Sequence, residues 1–133
     1  MLSLEISPDS PRVSVIRAGH PGMLVQAGGT VHWHEPAGGP ALGLHAGDWP
    51  SEELDLPTGQ ALLLLTDGLF EGYSGEGTQR LGEDGLLDLA RAHANQPGPA
   101  FVDALINGAQ ALAHPRGGLT DDIAVLRIER TTT

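Results

Sequence analysis

The sequence predicts an α+β domain with helices laid on a largely antiparallel sheet, and three observations carry that expectation. Apolar residues fall at every second position through the first third of the chain. A run apolar on both faces follows, Ala61-Leu62-Leu63-Leu64-Leu65, and from Leu81 the period lengthens to that of a helix. The order is therefore strands, two helices and a final strand, with no internal repeat and no linker.

Leu2, Leu4 and Ile6 alternate, as do Val13 and Val15, around Ser7-Pro8-Asp9-Ser10-Pro11. This reads as two strands joined by a turn, each with one buried face. Met23 to Gln26 and Thr30 to His34 flank Ala27-Gly28-Gly29 as a hairpin. Gly38-Gly39-Pro40 breaks the pattern, and a Gly- and Pro-rich stretch runs on through Pro57-Thr58-Gly59. The Ala61–Leu65 run should be a central strand covered on two sides, with Asp67 at its carboxyl end. Leu86, Leu89, Ala90 and His93 share one face of a helix that Pro97-Gly98-Pro99 is expected to end. Phe101, Leu105, Ala109 and Leu112 mark a second helix, stopped by Pro115 and Gly117-Gly118. Asp121 and Asp122 lead into a last strand, Ile123 to Ile128.

At 133 residues the chain is one domain's worth, long enough to bury a core without disulfide or metal. Its 29 glycines and prolines, 19 and 10, require many turns between short elements. The net charge of −10 comes from 17 acids against 7 bases, all arginine and scattered, with no basic cluster. That excludes a nucleic-acid partner, which needs concentrated cations against phosphates, and an anionic membrane surface as well. The absence of cysteine excludes a disulfide framework, thiol catalysis and cysteine metal sites. No apolar run is long enough to span a bilayer and no basic-then-apolar leader opens the chain, so a cytoplasmic location is expected.

Two acidic positions have settings suited to chemistry. If the strand before Asp67 and the strand after Asp121-Asp122 are adjacent and antiparallel, their carboxylates meet at one edge. Such a group suits a hard divalent cation, Mg²⁺ or Mn²⁺, that prefers oxygen ligands. Each Asp equally fits a simple turn or strand cap. His32-Trp33-His34 puts two imidazoles on one strand face, the arrangement a cupin-like metalloprotein uses. Glu35 stands at the wrong offset for that site, and a solvent-facing pair is the simpler reading. His20, His45, His93 and His114 are isolated, with His93 expected to pack on the apolar helix face. No Gly-x-Ser-x-Gly elbow is present, and the glycine-rich Gly72–Gly77 lacks the lysine and hydroxyl residue of a phosphate-binding loop, so it reads as a mobile loop.

Four segments in order carry a family resemblance: Ala18-Gly19-His20-Pro21, Gly38-Gly39-Pro40-Ala41-Leu42-Gly43-Leu44, Leu65-Thr66-Asp67-Gly68-Leu69-Phe70-Glu71 and Asp121-Asp122-Ile123-Ala124-Val125-Leu126. The succession resembles metal-dependent protein serine/threonine phosphatases of the PPM superfamily, in their bacterial SpoIIE/RsbU-like branch of sigma-factor regulators. The resemblance implies an antiparallel β-sandwich flanked by helices. It also implies hydrolysis by a water activated by two ions, Mn²⁺ or Mg²⁺. Asp67 would be the ligand of the threonine-aspartate-glycine motif and Asp121 the final aspartate ligand, with Asp122 of the same doublet as the other candidate. The substrate implied is a phosphorylated regulatory protein such as an anti-sigma-factor antagonist.

The family's upstream Gly-Asp and Gly-Asp-x-x-Gly-His segments, which supply the bridging aspartates, have no counterpart here. Gly47-Asp48-Trp49 falls after the Ala-Gly-His-Pro segment, in the wrong order. Residues 1–133 are thus expected to be the C-terminal part of such a domain, incomplete at the N-terminal side. They would offer one metal's worth of carboxylates at most. Weak Mn²⁺ binding, low turnover and self-association through exposed strand edges would follow. The rival expectations are a noncatalytic regulatory module with a degenerate site and, behind it, the cupin-like metalloprotein built on His32 and His34.

Overall fold

Eight strands and two helices build three layers in the computed structural model, which describes residues 1–44 and 46–132; His45 lies outside the described residues. The strands are β1 (Leu2–Ile6), β2 (Arg12–Ala18), β3 (Met23–Ala27), β4 (Thr30–His34), β5 (Gly38–Gly39), β6 (Ser51–Asp55), β7 (Gln60–Leu65) and β8 (Val125–Glu129). Helices α1 (Gly82–Ala92) and α2 (Gly98–Ala113) stand between β7 and β8. One sheet joins β1, β2, β5 and β6, with β2 central; only the two-residue β5 runs parallel to it. The other, in the order β4-β3-β7-β8, is antiparallel throughout. This is the mixed α+β architecture with antiparallel sheets that the alternation and the change of period predict.

The side-chain period of a strand explains why β7 is apolar at every position from Ala61 on. Ala61, Leu63 and Leu65 face the helices, packing with Leu24, Val31, Leu86, Ala90, Phe101, Leu105 and Ala109. Leu62 points the other way, into a second cluster with Val13, Val15, Met23 and Leu56 between the sheets. A strand buried on both faces cannot alternate with polar residues. Close packing also sets the helix pair: a Cβ on Gly108 of α2 would collide with the Leu89 side chain of α1. The buried Gln26 of β3 ties the sheet to the connection between the helices. Its amide donates to the carbonyls of Ala94 at 3.0 Å and Gln96 at 3.1 Å. Among the described residues no helix is long and apolar enough to cross a membrane.

Three expectations are corrected. Pro97-Gly98-Pro99 does not end α1, which stops at Ala92; Gly98 and Pro99 are instead the first residues of α2. A first-turn proline forfeits no helical hydrogen bond, so the motif reads as a start as readily as a stop. Leu112 is 37% exposed, and Ala113 takes the buried place, four residues after Ala109 in the series from Phe101. The Gly- and Pro-rich stretch conceals two strands, β5 and β6. In β6 the sequence Ser-Glu-Glu-Leu-Asp hides its period because Glu52 is one of the two inward positions.

Phe101 is fully buried where α2 meets β7, so Phe101→Ala should cost about 3–5 kcal/mol in chemical denaturation. Leu112→Ala should cost less than about 1 kcal/mol, because the side chain is already largely in water.

Candidate metal centre

β7 pairs with β8 in a register that puts Leu65 opposite Val125, so the end of one strand lies beside the start of the other. Thr66 fastens the junction. Its amide donates to the Ala124 carbonyl at 3.0 Å, and its hydroxyl accepts the Ala124 amide at 2.9 Å while reaching the Asp122 carbonyl at 3.4 Å. A hydroxyl can donate and accept at once, which an apolar β-branched residue could not do here. Gly68 follows because the backbones approach closely: a Cβ at this position would run into the carbonyl oxygen of Asp122.

Asp67 opens a 3₁₀ turn, Asp67–Leu69, and its carbonyl accepts the amides of Phe70 and Glu71, both at 3.0 Å. One turn separates Asp67 from Glu71, so the two side chains share a face. Asp121 comes from the segment before β8, its Oδ1 held at 2.8 Å by the amide of Asp122. Asp67, Glu71 and Asp121 each offer a carboxylate oxygen within 4.8 Å of the others, all exposed. Asp122 contributes backbone bonds beside this triad and lies outside it. Glu71 was not among the candidates drawn from the sequence; the four-residue spacing from Asp67 is the signal that marks it.

Three carboxylates this close repel one another. The carboxyl of Glu71 is raised above its ordinary 4.5, first by the charge of Asp67, with burial, a hydrogen bond to Asp67 and the charge of Asp121 adding, against Arg80. An all-oxygen, anionic donor set of this kind fits a hard divalent cation. Among the described residues it is the one His, Asp and Glu group able to hold a metal ion. His32 is exposed on β4, and His34 sets its Nε2 2.6 Å from Glu52 of β6, linking the two sheets. His93 closes α1 half-buried, its Nδ1 3.4 Å from the Gln96 amide nitrogen. His20 lines a cavity of about 210 Å³ with Leu64, Leu65, Thr66 and Ala124, which sets the Ala-Gly-His-Pro segment beside the junction. The Gly72–Gly77 loop is tied to α2 by the Gly75 amide, 2.7 Å from the Leu112 carbonyl.

Because its folded-state carboxyl binds a proton more firmly than an unfolded one, Glu71 favours folding at acid pH and opposes it as pH rises. Glu71→Gln should therefore melt higher than the parent chain at neutral pH without metal, with the gap closing below 4.5. The same substitution should weaken Mn²⁺ binding by roughly tenfold, read from metal-induced shifts in melting temperature.

Residues 1–131 match the family of stage II sporulation protein E, SpoIIE. Among solved structures, the SiaA-PP2C domain of Pseudomonas aeruginosa superposes with a TM-score of 0.72 at 23% identity over 91% of this chain and 47% of that one. The RsbU and RsbW domains of a Mycobacterium tuberculosis protein give 0.69 at 29% identity, covering 92% of this chain and 33% of that one. The phosphatase domain of SpoIIE from Bacillus subtilis, presoaked with manganese, gives 0.72 at 17% identity over 100% of this chain and 57% of that one. The chain thus spans about half or less of the first two chains it matches. No curated protein is similar enough in sequence to count as a relative. With the sheet order, the helix pair and the threonine-aspartate-glycine turn in place, this chain belongs to the SpoIIE family and has the fold of part of a PP2C-type phosphatase domain.

Proposed function

We propose that the chain is the C-terminal part of a metal-dependent protein serine/threonine phosphatase domain, cytoplasmic, acting on a phosphorylated regulator such as an anti-sigma-factor antagonist. The observation that carries this reading is the convergence of Asp67, Glu71 and Asp121 at the β7–β8 junction. Family membership and the RsbU and RsbW names of one similar structure support the regulatory setting.

Asp67 and Asp121 would hold Mn²⁺ or Mg²⁺, with Glu71 as the third carboxylate and Asp122 as the neighbour that orients Asp121 through its amide. A divalent cation bound there supplies positive charge against the phosphoryl oxygens and acidifies water. The chain's own contribution is placement. Thr66 fixes the two backbones relative to each other, the 3₁₀ turn sets Glu71 over Asp67, and the open side of the triad leaves room for a phosphoryl group. Three carboxylates amount to one well-liganded cation, so the 133-residue chain alone should bind Mn²⁺ weakly and turn over slowly.

A second reading, a noncatalytic interaction module that keeps the fold, draws on the same small number of carboxylates. The histidine-based alternative is disfavoured because His34 is engaged by Glu52.

The deciding experiment is phosphate release from a phosphoserine protein, with and without Mn²⁺, by the chain and by the longest natural protein that contains it. Metal-dependent release that falls about a hundredfold or more in Asp67→Asn is expected. Release indifferent to both metal and Asp67 would leave the noncatalytic reading in its place.

A further inference from the structure

The 7 basic residues of this chain are all arginines, and 6 of them donate to an acceptor within the fold, Arg116 being the exception among the described residues. Arg12 and Arg127 pair with Glu53 and Glu129 at 2.6 and 3.2 Å. Arg17, Arg91 and Arg130 donate to the backbone carbonyls of Pro36, Val31 and Leu56. Arg80 and Arg116 form no salt bridge among the described residues, and both lie over the ring of Tyr73, at 4.0 and 4.4 Å from its centre. They reach it from different parts of the chain, Arg80 from the end of the loop before α1 and Arg116 from the turn after α2. The loop is fixed in place by the Tyr73–Arg80 bridge and by the Ser74 amide, 2.8 Å from the Gln79 carbonyl.

Through Arg80 this stack adjoins the candidate metal centre. Arg80 donates to the Glu71 carbonyl at 2.9 Å, and with Phe70, Glu71 and Gly82 it lines a cavity of about 470 Å³. Two like charges on one ring repel, and the aromatic face offsets that only in part. An anion beside either guanidinium would lessen the repulsion. The planar fork of an arginine held over a ring is already oriented for a carboxylate. On a surface of net charge −10, two neighbouring arginines without a salt bridge, one of them beside Glu71, form a local cationic patch that an acidic partner can approach.

We propose that the Arg80–Tyr73–Arg116 stack is a docking site for acidic residues flanking the phosphorylated residue of a protein substrate. It rests on the phosphatase reading for its substrate class, and it adds which part of that substrate the chain recognises.

The test uses a fluorescent, unphosphorylated peptide of a serine amid aspartates and glutamates, titrated with the full chain and followed by anisotropy, in Mg²⁺ and again with chelator. The parent chain should bind it and release it in about 0.5 M salt. Arg80→Gln combined with Arg116→Gln should weaken binding about five- to tenfold, and Arg80→Lys alone should lose less. Arg12→Gln, on the other sheet, should bind as the parent does. Circular dichroism checks that each variant is folded. Equal affinity of the double variant and the parent, or equal binding of a neutral peptide of the same length, would overturn the proposal. Because this measurement reads peptide capture and not phosphate release, it can fail while the metal-centre reading stands, and the reverse.

Discussion

The pairing of β7 with β8 is the constraint on which the rest depends. β7 is gripped on one face by the helices and on the other by the second sheet, so its position is set by two cores at once. β8 inherits that position through its ladder, and Thr66 extends the ladder past the last strand residue to Ala124. Whatever lies just beyond is carried along. Asp67 and Asp121 are surface residues with little packing of their own, and their spacing is determined by a backbone registered against a buried strand.

Where burial decides conformation, the sequence is readable. The five apolar residues of the Ala61–Leu65 run announce a doubly covered strand, and Leu2 and Leu4 announce a one-sided one, while Ile6, expected on the same buried face, is exposed. Where a charged residue faces inward, the pattern fails, as it does in β6 with Glu52 paired to His34. Proline is ambiguous for a related reason: its missing amide suits a helix beginning as well as an ending, so Pro97 and Pro99 say that α2 has a boundary without saying which one. For the site, adjacency of Asp67 and Asp121 could be expected from two strands that end and begin with aspartate. Glu71 was legible only through the turn geometry that brings residue four onto residue zero, because nothing in its immediate neighbours distinguishes it from an ordinary surface acid.

The electrostatics follow an economy of cations. With 17 acids and 7 arginines, most carboxylates must stand in water without a partner. Six arginines are held by side chains or carbonyls that pin β2, β4, the loop before α1 and the chain ends to their neighbours. Arg80 lies beside Glu71, but the acidic neighbours of Glu71 outweigh it and its carboxyl is still raised. The fold tolerates the like charges of the triad because the backbone beneath them is secured elsewhere.

The bond between Thr66 and Ala124 closes a loop of 58 residues. The hairpins β1–β2 and β3–β4, by contrast, join neighbours in sequence. Contacts between near neighbours lose little chain entropy and form early, whereas β8 can dock only after both helices have been passed. The carboxylates therefore meet only through a contact of long sequence separation. Asp67 and Glu71 belong to one turn, whereas Asp121 joins them only through the β7–β8 ladder. A cation held by all three carboxylates would accordingly tie the start of β8 to the turn after β7.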